Sequence, residues 1–375
     1  MIHRIRIQNY KSIRDVTVEL SPVTVLIGRS GTGKTNFCEA IRLLRDEFRV
    51  SEENRSKRHL EARPLGRTDH GIAYEIEFSI DRPEYRYLYQ VAFGPSAGLK
   101  SESLRYESEI VFSQGNDVST QNRSWIVRPP AGGLPALGKI AIGQMPMVDP
   151  ATMAYRYLRD GLGVYSFPYD VLEKPNCTVD GRFSDDGGNI LGVLRAIWTN
   201  QEGHNGRKNL EVILKQINPA IVAMEIDSID QPKSLVLRHR YHDRDLVIPV
   251  QDESSGFRRF LAHLLALYQS PPRRVQIFEE PENGIFPGAL AVLSEEFQAT
   301  PEEGRGQVIL TTHNPVLLNH FDADQIRVVE MDENFETQIG PLALEQRAAL
   351  KEKLLYPGEL FTVDVARRGH EVVTP

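Results

Sequence analysis

Apolar and polar residues alternate from the first positions of the chain. Ile5-Arg-Ile, Val16-Thr-Val-Glu-Leu and Thr24-Val-Leu-Ile each keep the two-residue period of a strand, with short turns between them. After Ile27 the period changes. Phe37, Ile41 and Leu44, with Cys38 and Ala40 filling in, mark one face of a helix over about 36–48. Residues 50–70 are polar and turn-rich. Residues 73–80 and 85–93 alternate around Asp81-Arg-Pro and predict an antiparallel pair, which 103–106 and 109–112 extend into a meander. A Pro/Gly-rich stretch over 129–150 then predicts a boundary between sub-domains.

Helical periods return near 150–161, 189–199 and 208–217, followed by strand patterns at 223–229, 234–241 and 245–250. A continuous apolar period predicts a buried helix over 256–268 and a buried strand over 274–278. Helix 288–299, strand 307–311, helix 315–321 and a hairpin of 326–331 with 337–339 complete the pattern, before a charged helix over 344–355 and a loose tail. No internal repeat and no heptad run long enough for a coiled-coil arm is present. The expected organisation is an N-terminal lobe over 1–128, a connection and helical insert over 129–250, a C-terminal lobe over 251–342, and a helix with tail over 343–375.

The strand before residue 28 runs straight into Gly28-Arg29-Ser30-Gly31-Thr32-Gly33-Lys34-Thr35-Asn36. Glycines at this spacing let a backbone turn tightly and aim its N–H groups inward at phosphate oxygens. Lys34 then reaches the β/γ-phosphates and the Thr35 hydroxyl is free to ligate Mg²⁺. Residues 28–36 therefore predict a nucleoside triphosphate site. Such a loop needs an acidic strand end to hold the metal and polarise water, and Val275-Gln-Ile-Phe-Glu279-Glu280-Pro-Glu supplies one. Glu279 suits the metal and Glu280 a general base, with Glu282 the next candidate. Paired acids in a solvated turn are the bland alternative.

Two further stretches bear on the same chemistry. Val308-Ile-Leu-Thr-Thr-His313-Asn-Pro is an apolar strand ending in a histidine, where a neutral imidazole suits a γ-phosphate or an attacking water; a lone histidine is also an ordinary structural residue. Asp252-Glu-Ser254-Ser255-Gly256 opens a helix, so its serines fit either a phosphate or an N-cap.

Composition narrows the setting. A net charge of −7 argues against a dedicated DNA-coating protein, and no apolar run is long enough to span a bilayer. The basic clusters at Arg55–Arg67 and Arg238–Arg244 are interleaved with acids, which is the pattern of a solvated face, with a nucleic-acid contact as the alternative. The first residues enter a strand without a signal-peptide pattern, and Cys38 and Cys177 are the only cysteines, so a disulfide is not expected and the cytoplasm is the expected location.

The order of P-loop, Ser-Ser-Gly turn, Glu-Glu-Pro-Glu and Thr-Thr-His-Asn-Pro resembles the ABC-type ATPase heads of the SMC/RecF/OLD group, and most of all the small OLD-like AAA ATPases. Ile7-Gln-Asn-Tyr-Lys-Ser-Ile and Asp185-Asp-Gly-Gly-Asn189-Ile share the resemblance. It implies an α/β P-loop NTPase: a mixed β-sheet core with an antiparallel β lobe and a helical lobe. It implies Walker A at residues 28–35, Glu279 as the Walker B metal residue, Glu280 as the catalytic glutamate, His313 as the switch histidine and residues 254–256 as a signature turn completing the ATP site of an opposite subunit. Departures are Glu279 where many heads carry Asp, Phe286 where many relatives carry His, and a Q-loop glutamine that has no clear position. The 62 residues after His313 are too few for the Toprim nuclease domain of full-length OLD proteins. The implied function is ATP hydrolysis by a homodimeric or higher-order head that gates a separate effector, a nuclease or toxin, in anti-phage defence. The alternatives are a RecF-like DNA-clamping ATPase and a nucleotide-dependent scaffold with negligible turnover.

Overall fold

The computed structural model describes residues 1–49, 57–59, 61–64, 70–95, 97–114, 137, 149–174, 182–199, 201–226 and 234–369. Apart from residues 137, 149 and 150, the stretch over 129–150 lies outside them, as do Arg55, Arg67 and Cys177. The described residues form two compact units. One comprises residues 1–162, 323–355 and 364 onward; the other comprises 163–322 and 356–363.

In the first unit, β1 (Ile2–Tyr10), β2 (Ile13–Glu19), β4 (Ala73–Phe78), β5 (Tyr87–Phe93), β6 (Leu99–Tyr106) and β7 (Glu109–Gln114) build an antiparallel sheet in the order β2-β1-β4-β5-β6-β7. Strict alternation along β4 and β5 sends Tyr74, Ile76 and Phe78, and Tyr87, Tyr89 and Val91, to the buried face. There Phe78 stacks on Tyr87 and on Tyr157 at 5.1 and 4.6 Å between ring centroids. Tyr157 lies on α2 (Pro150–Asp160), whose start is fixed by Asp149 accepting from the N–H groups of Ala151 and Thr152, with Pro150 at the first helical position.

A second set of strands in this unit carries the glycine loop. β3 (Val23–Ile27) is buried at every residue, runs parallel to β14 (Ile326–Met331), and ends where α1 (Lys34–Asp46) is about to begin. β14 pairs in turn with antiparallel β15 (Thr337–Pro341), so this part of the sheet is mixed. Cys38 is buried on α1. α8 (Leu344–Lys351) follows β15. Asp324 anchors it through Arg347 and Lys351, which makes the Asp322-Ala-Asp324 turn a structural one at that residue.

The second unit holds parallel β12 (Val275–Glu279) and β13 (Gln307–Thr312), with β8 (Leu162–Tyr165) on the far side of β12. Phe278 of β12 packs against Tyr165 and Phe297 at 5.2 and 5.0 Å, the latter on α6 (Pro287–Glu302). α3 (Ile190–Thr199), α4 (Gln201–Ile217) and α5 (Ser255–Tyr268) form its helical part, and every residue of α5 from Arg259 to Tyr268 is buried. Burial pushes the pKa of His263 in this helix down to about 3, so the ring is a neutral core group whose Nδ1–H donates to the Arg259 carbonyl at 2.7 Å. β9 (Ile221–Ile226), β10 (Leu235–Tyr241) and β11 (Arg244–Pro249) form a separate antiparallel sheet. On it Arg238 pairs with Glu225 and Arg240 with Asp245, both at 2.9 Å, as a solvated charged face does. No described helix is long and apolar enough to cross a membrane.

Four expectations change. β8 was not foreseen, because its four residues are all buried and offer no alternation. The tail is not loose through residue 369. Residues 357–361 form a 3-10 turn with Leu360 buried, and the Gln346 side chain holds the carbonyls of Asp364 and Val365. The predicted helices at 315–321 and 344–355 are also shorter, ending at Leu318 in α7 (Pro315–Leu318) and at Lys351.

Candidate functional site

The glycine loop belongs to the first unit. Gly28 is half-exposed at the end of β3, Arg29, Ser30 and Gly31 are exposed, and Thr32, Gly33 and Lys34 are buried before the exposed Thr35 and half-buried Asn36. Gly33 caps α1 with φ 103°, and a Cβ there would fall 2.1 Å from Thr337 Oγ1. Both the left-handed backbone and the contact demand glycine. Lys34 folds over the loop and donates from Nζ to the carbonyls of Gly28 and Arg29 at 2.7 and 3.0 Å. Thr32 closes the turn by donating to the Arg29 carbonyl at 2.9 Å.

The acidic end belongs to the second unit. Glu279 ends β12 half-exposed, and Glu280 leaves the strand with φ 45°. Its N–H donates to both the carbonyl and the hydroxyl of Thr311 at 3.1 Å, so the reversal is pinned to β13. Asn283 Nδ2 then donates to Glu280 Oε2 at 2.8 Å. His313, one residue beyond β13, brings Nδ1 to 3.4 Å from Glu280 Oε1. The structure thus gathers Glu280 and His313 in one place, both open to solvent.

Glu282 is the residue the pattern undervalued. It is 5 % exposed, accepts from the Thr312 hydroxyl at 2.7 Å and the His313 N–H at 3.1 Å, and burial raises its carboxyl above the usual range. Its position makes it the brace of the His313 corner. Asn314 and Pro315 follow as the N-cap and first residue of α7.

Ser254 and Ser255 are exposed at the start of α5, where Ser254 Oγ accepts from the Phe257 N–H at 3.2 Å. That is an N-cap bond, and it leaves Ser255 at the surface. Gly256 approaches the loop after the acids so closely that a Cβ would lie 2.5 Å from the Gly284 carbonyl oxygen. Arg258 braces the turn by donating to the carbonyls of Gln251 and Glu253, and His239 of β10 holds the Glu253 carboxylate at 2.8 Å. The Asp185–Asn189 segment is a turn too: Asp186 accepts from Gly188 N–H, and Asn189 bonds the Ser184 N–H and Arg182 carbonyl.

With this geometry in view, the comparisons are consistent. Residues 1–113 match a model described as "AAA ATPase domain", and residues 190–319 match one described as "AAA domain, putative AbiEii toxin, Type IV TA system". The OLD nuclease of Thermus scotoductus is 22 % identical over 381 residues, a match covering 93 % of this chain and 66 % of the relative. The chain therefore spans just under two thirds of that relative's length. The SMC head solved in complex with the C-terminal winged-helix domain of ScpA superimposes with a TM-score of 0.59 at 13 % identity, covering 92 % of this chain and 99 % of that one. The SMC head with an extended coiled coil, bound to the C-terminal domain of ScpA derived from Pyrococcus furiosus, gives 0.56 at 12 %, covering 94 % and 99 %. The fold is that of an SMC head, an ABC ATPase fold. Its mixed sheet segment, antiparallel sheet and helical region are the α/β arrangement expected of a P-loop NTPase head of the AAA/ABC type.

Proposed function

We propose that the chain hydrolyses ATP as an ABC-type head, with residues 28–36 gripping the triphosphate and Glu280 acting as general base toward water. The observation that carries this reading is the division of labour among the acids. Glu280 is held by Asn283 beside His313 and stays open to solvent, whereas Glu282 is buried and already engaged by Thr312 and His313. A base must reach water, and only the first of these carboxylates does. His313 then orients the water or a γ-phosphate oxygen. The Thr35 hydroxyl and Glu279 carboxylate are hard oxygen donors with exposed atoms, a donor set that fits Mg²⁺. When bound, the ion neutralises charge on the β- and γ-phosphate oxygens.

In this reading two copies close around nucleotide, each lending Ser254, Ser255 and Gly256 to the other's site, and the closed state switches a separately encoded effector in the cytoplasm. The ScpA domains bound to the two SMC heads support the idea that a head of this fold works through a protein partner. The OLD nuclease relative and the TA-system model favour a nuclease or toxin as that partner, in anti-phage defence.

Ser254→Arg tests the composite site. A bulky cation at the exposed turn blocks closure while leaving the P-loop untouched, so ATP binding is retained and steady-state hydrolysis is lost. Mixing this variant with Lys34→Ala restores part of the activity, because a mixed dimer keeps one complete pair of half-sites. Normal hydrolysis by Ser254→Arg in a verified dimer removes the signature role and leaves Ser254 as the helix cap.

A further inference from the structure

The P-loop is tied to two segments remote from it in sequence by a directed chain of hydrogen bonds. Asn36 Nδ2 on α1 donates to Ser12 Oγ at 2.7 Å, and Ser12 Oγ lies 2.6 Å from Thr337 Oγ1 on β15. Thr337 Oγ1 donates to the Thr32 carbonyl at 2.9 Å. A hydroxyl has one proton to give. Since that of Thr337 goes to Thr32, the Ser12 hydroxyl is the donor to Thr337, and the chain runs one way from Asn36 to the loop carbonyl. The backbone reinforces it, with the Thr337 N–H donating to the Ser12 carbonyl at 2.8 Å. Thr337 is fully buried, so water does not compete for its bond to the Thr32 carbonyl.

The peptide linking Thr32 to Gly33 gives this its consequence. In a trans peptide the C=O and the following N–H point to opposite sides of the chain. Pinning the Thr32 carbonyl toward Thr337 turns the Gly33 N–H away from β15. Among the described residues that N–H has no acceptor within the protein. An N–H turned away from β15 and left without a protein acceptor on a glycine loop is a donor set in advance for an anionic oxygen.

We infer that Thr337 is a positioning residue for phosphate recognition, fixing through Thr32 the direction of the Gly33 N–H, with Ser12 and Asn36 ordering its hydroxyl. The inference rests on the P-loop reading above. Nothing in the local pattern around Thr337 marks it, because its partner Ser12 lies 325 positions away.

The experiment compares Thr337→Val, which keeps shape and loses the hydroxyl, with Thr337→Ser, which keeps the hydroxyl, using ATP as the probe. Thr337→Val is expected to weaken ATP binding about tenfold, as loosening one charge-assisted hydrogen bond does, while Thr337→Ser stays within about twofold of the parent. In turnover the loss falls on KM more than on kcat, since the N–H meets phosphate in the ground state too. Lys34→Ala is measured alongside. If it binds ATP as tightly as the parent, the P-loop reading fails and takes the inference with it. If Lys34→Ala is weakened and Thr337→Val is not, or if Thr337→Ser is as weak as Thr337→Val, the positioning role alone is overturned. Should Thr337→Val not fold, Ser12→Ala carries the comparison: a loss of about threefold or more supports the inference, and parent affinity overturns it.

Discussion

Residues 28–36 and residues 279–313 hold their chemistry by different means. On the proposed reading the working groups of the glycine loop are backbone N–H donors, and what fixes them is the lack of side chains: Gly33 sits where a Cβ would meet Thr337, and a hydroxyl from β15 sets the loop's carbonyl. On the same reading the working groups of the acidic corner are side chains, and what fixes them is other side chains: Asn283 on Glu280, and Glu282 under Thr312 and His313. The difference teaches where each half is vulnerable. Adding one carbon damages the loop; removing one functional group damages the corner.

The largest expected effect tests the corner at its centre. Glu280→Gln keeps the shape and the acceptor for Asn283 but cannot take a proton, so hydrolysis falls about 10²–10⁴-fold while ATP still binds. A single-turnover measurement beside equilibrium binding checks it, and parent turnover would move the base elsewhere.

Gly33→Ala probes the loop in the opposite sense, since it adds atoms and deletes none. The methyl must enter a left-handed position against Thr337 Oγ1, which costs about 1–3 kcal/mol and tilts the loop. Thermal unfolding and ATP titration should both register the change. If Ala is tolerated at 33, the backbone account of this half is wrong.

The smallest effect, that of Glu282→Gln, sharpens the corner's second layer. Glu282→Ala leaves the Thr312 hydroxyl and His313 N–H without their acceptor and costs about 1–3 kcal/mol; Glu282→Gln retains an acceptor and costs less. The pH dependence has a definite sign. Burial raises the folded carboxyl above its ordinary value, so the native state keeps this proton to higher pH than the unfolded chain does. Its contribution to stability therefore falls as pH rises from the ordinary glutamate range through the folded pKa. Denaturant titrations across that window should be flatter for Glu282→Gln than for the parent.

How much of this could be read from the chain follows the same division. Glycine spacing after a strand is local, so the turn between β3 and α1 was legible, as were the long alternating strands and α5. β8 was not, because Leu162-Gly-Val-Tyr is buried on both faces and has no period. The packed tail was not, because one buried glutamine on α8, Gln346, holds it. Glu282 reads as one more acid in Glu-Glu-Pro-Glu until Thr312 is seen against it. Ser12 and Thr337 are ordinary strand-end hydroxyls in sequence, and only the fold joins them.

The backbone of Glu280 carries a consequence for how this chain can change. A glutamate at φ 45° sits in a region that costs an L-residue about 1–2 kcal/mol and that glycine enters freely. Drift toward greater thermostability would press position 280 toward glycine or asparagine, and every such step would discard the carboxylate. If Glu280 is the proposed base, the backbone strain at this position and the chemistry are bound together, so a stabilised variant of this protein is best sought by altering positions other than 280.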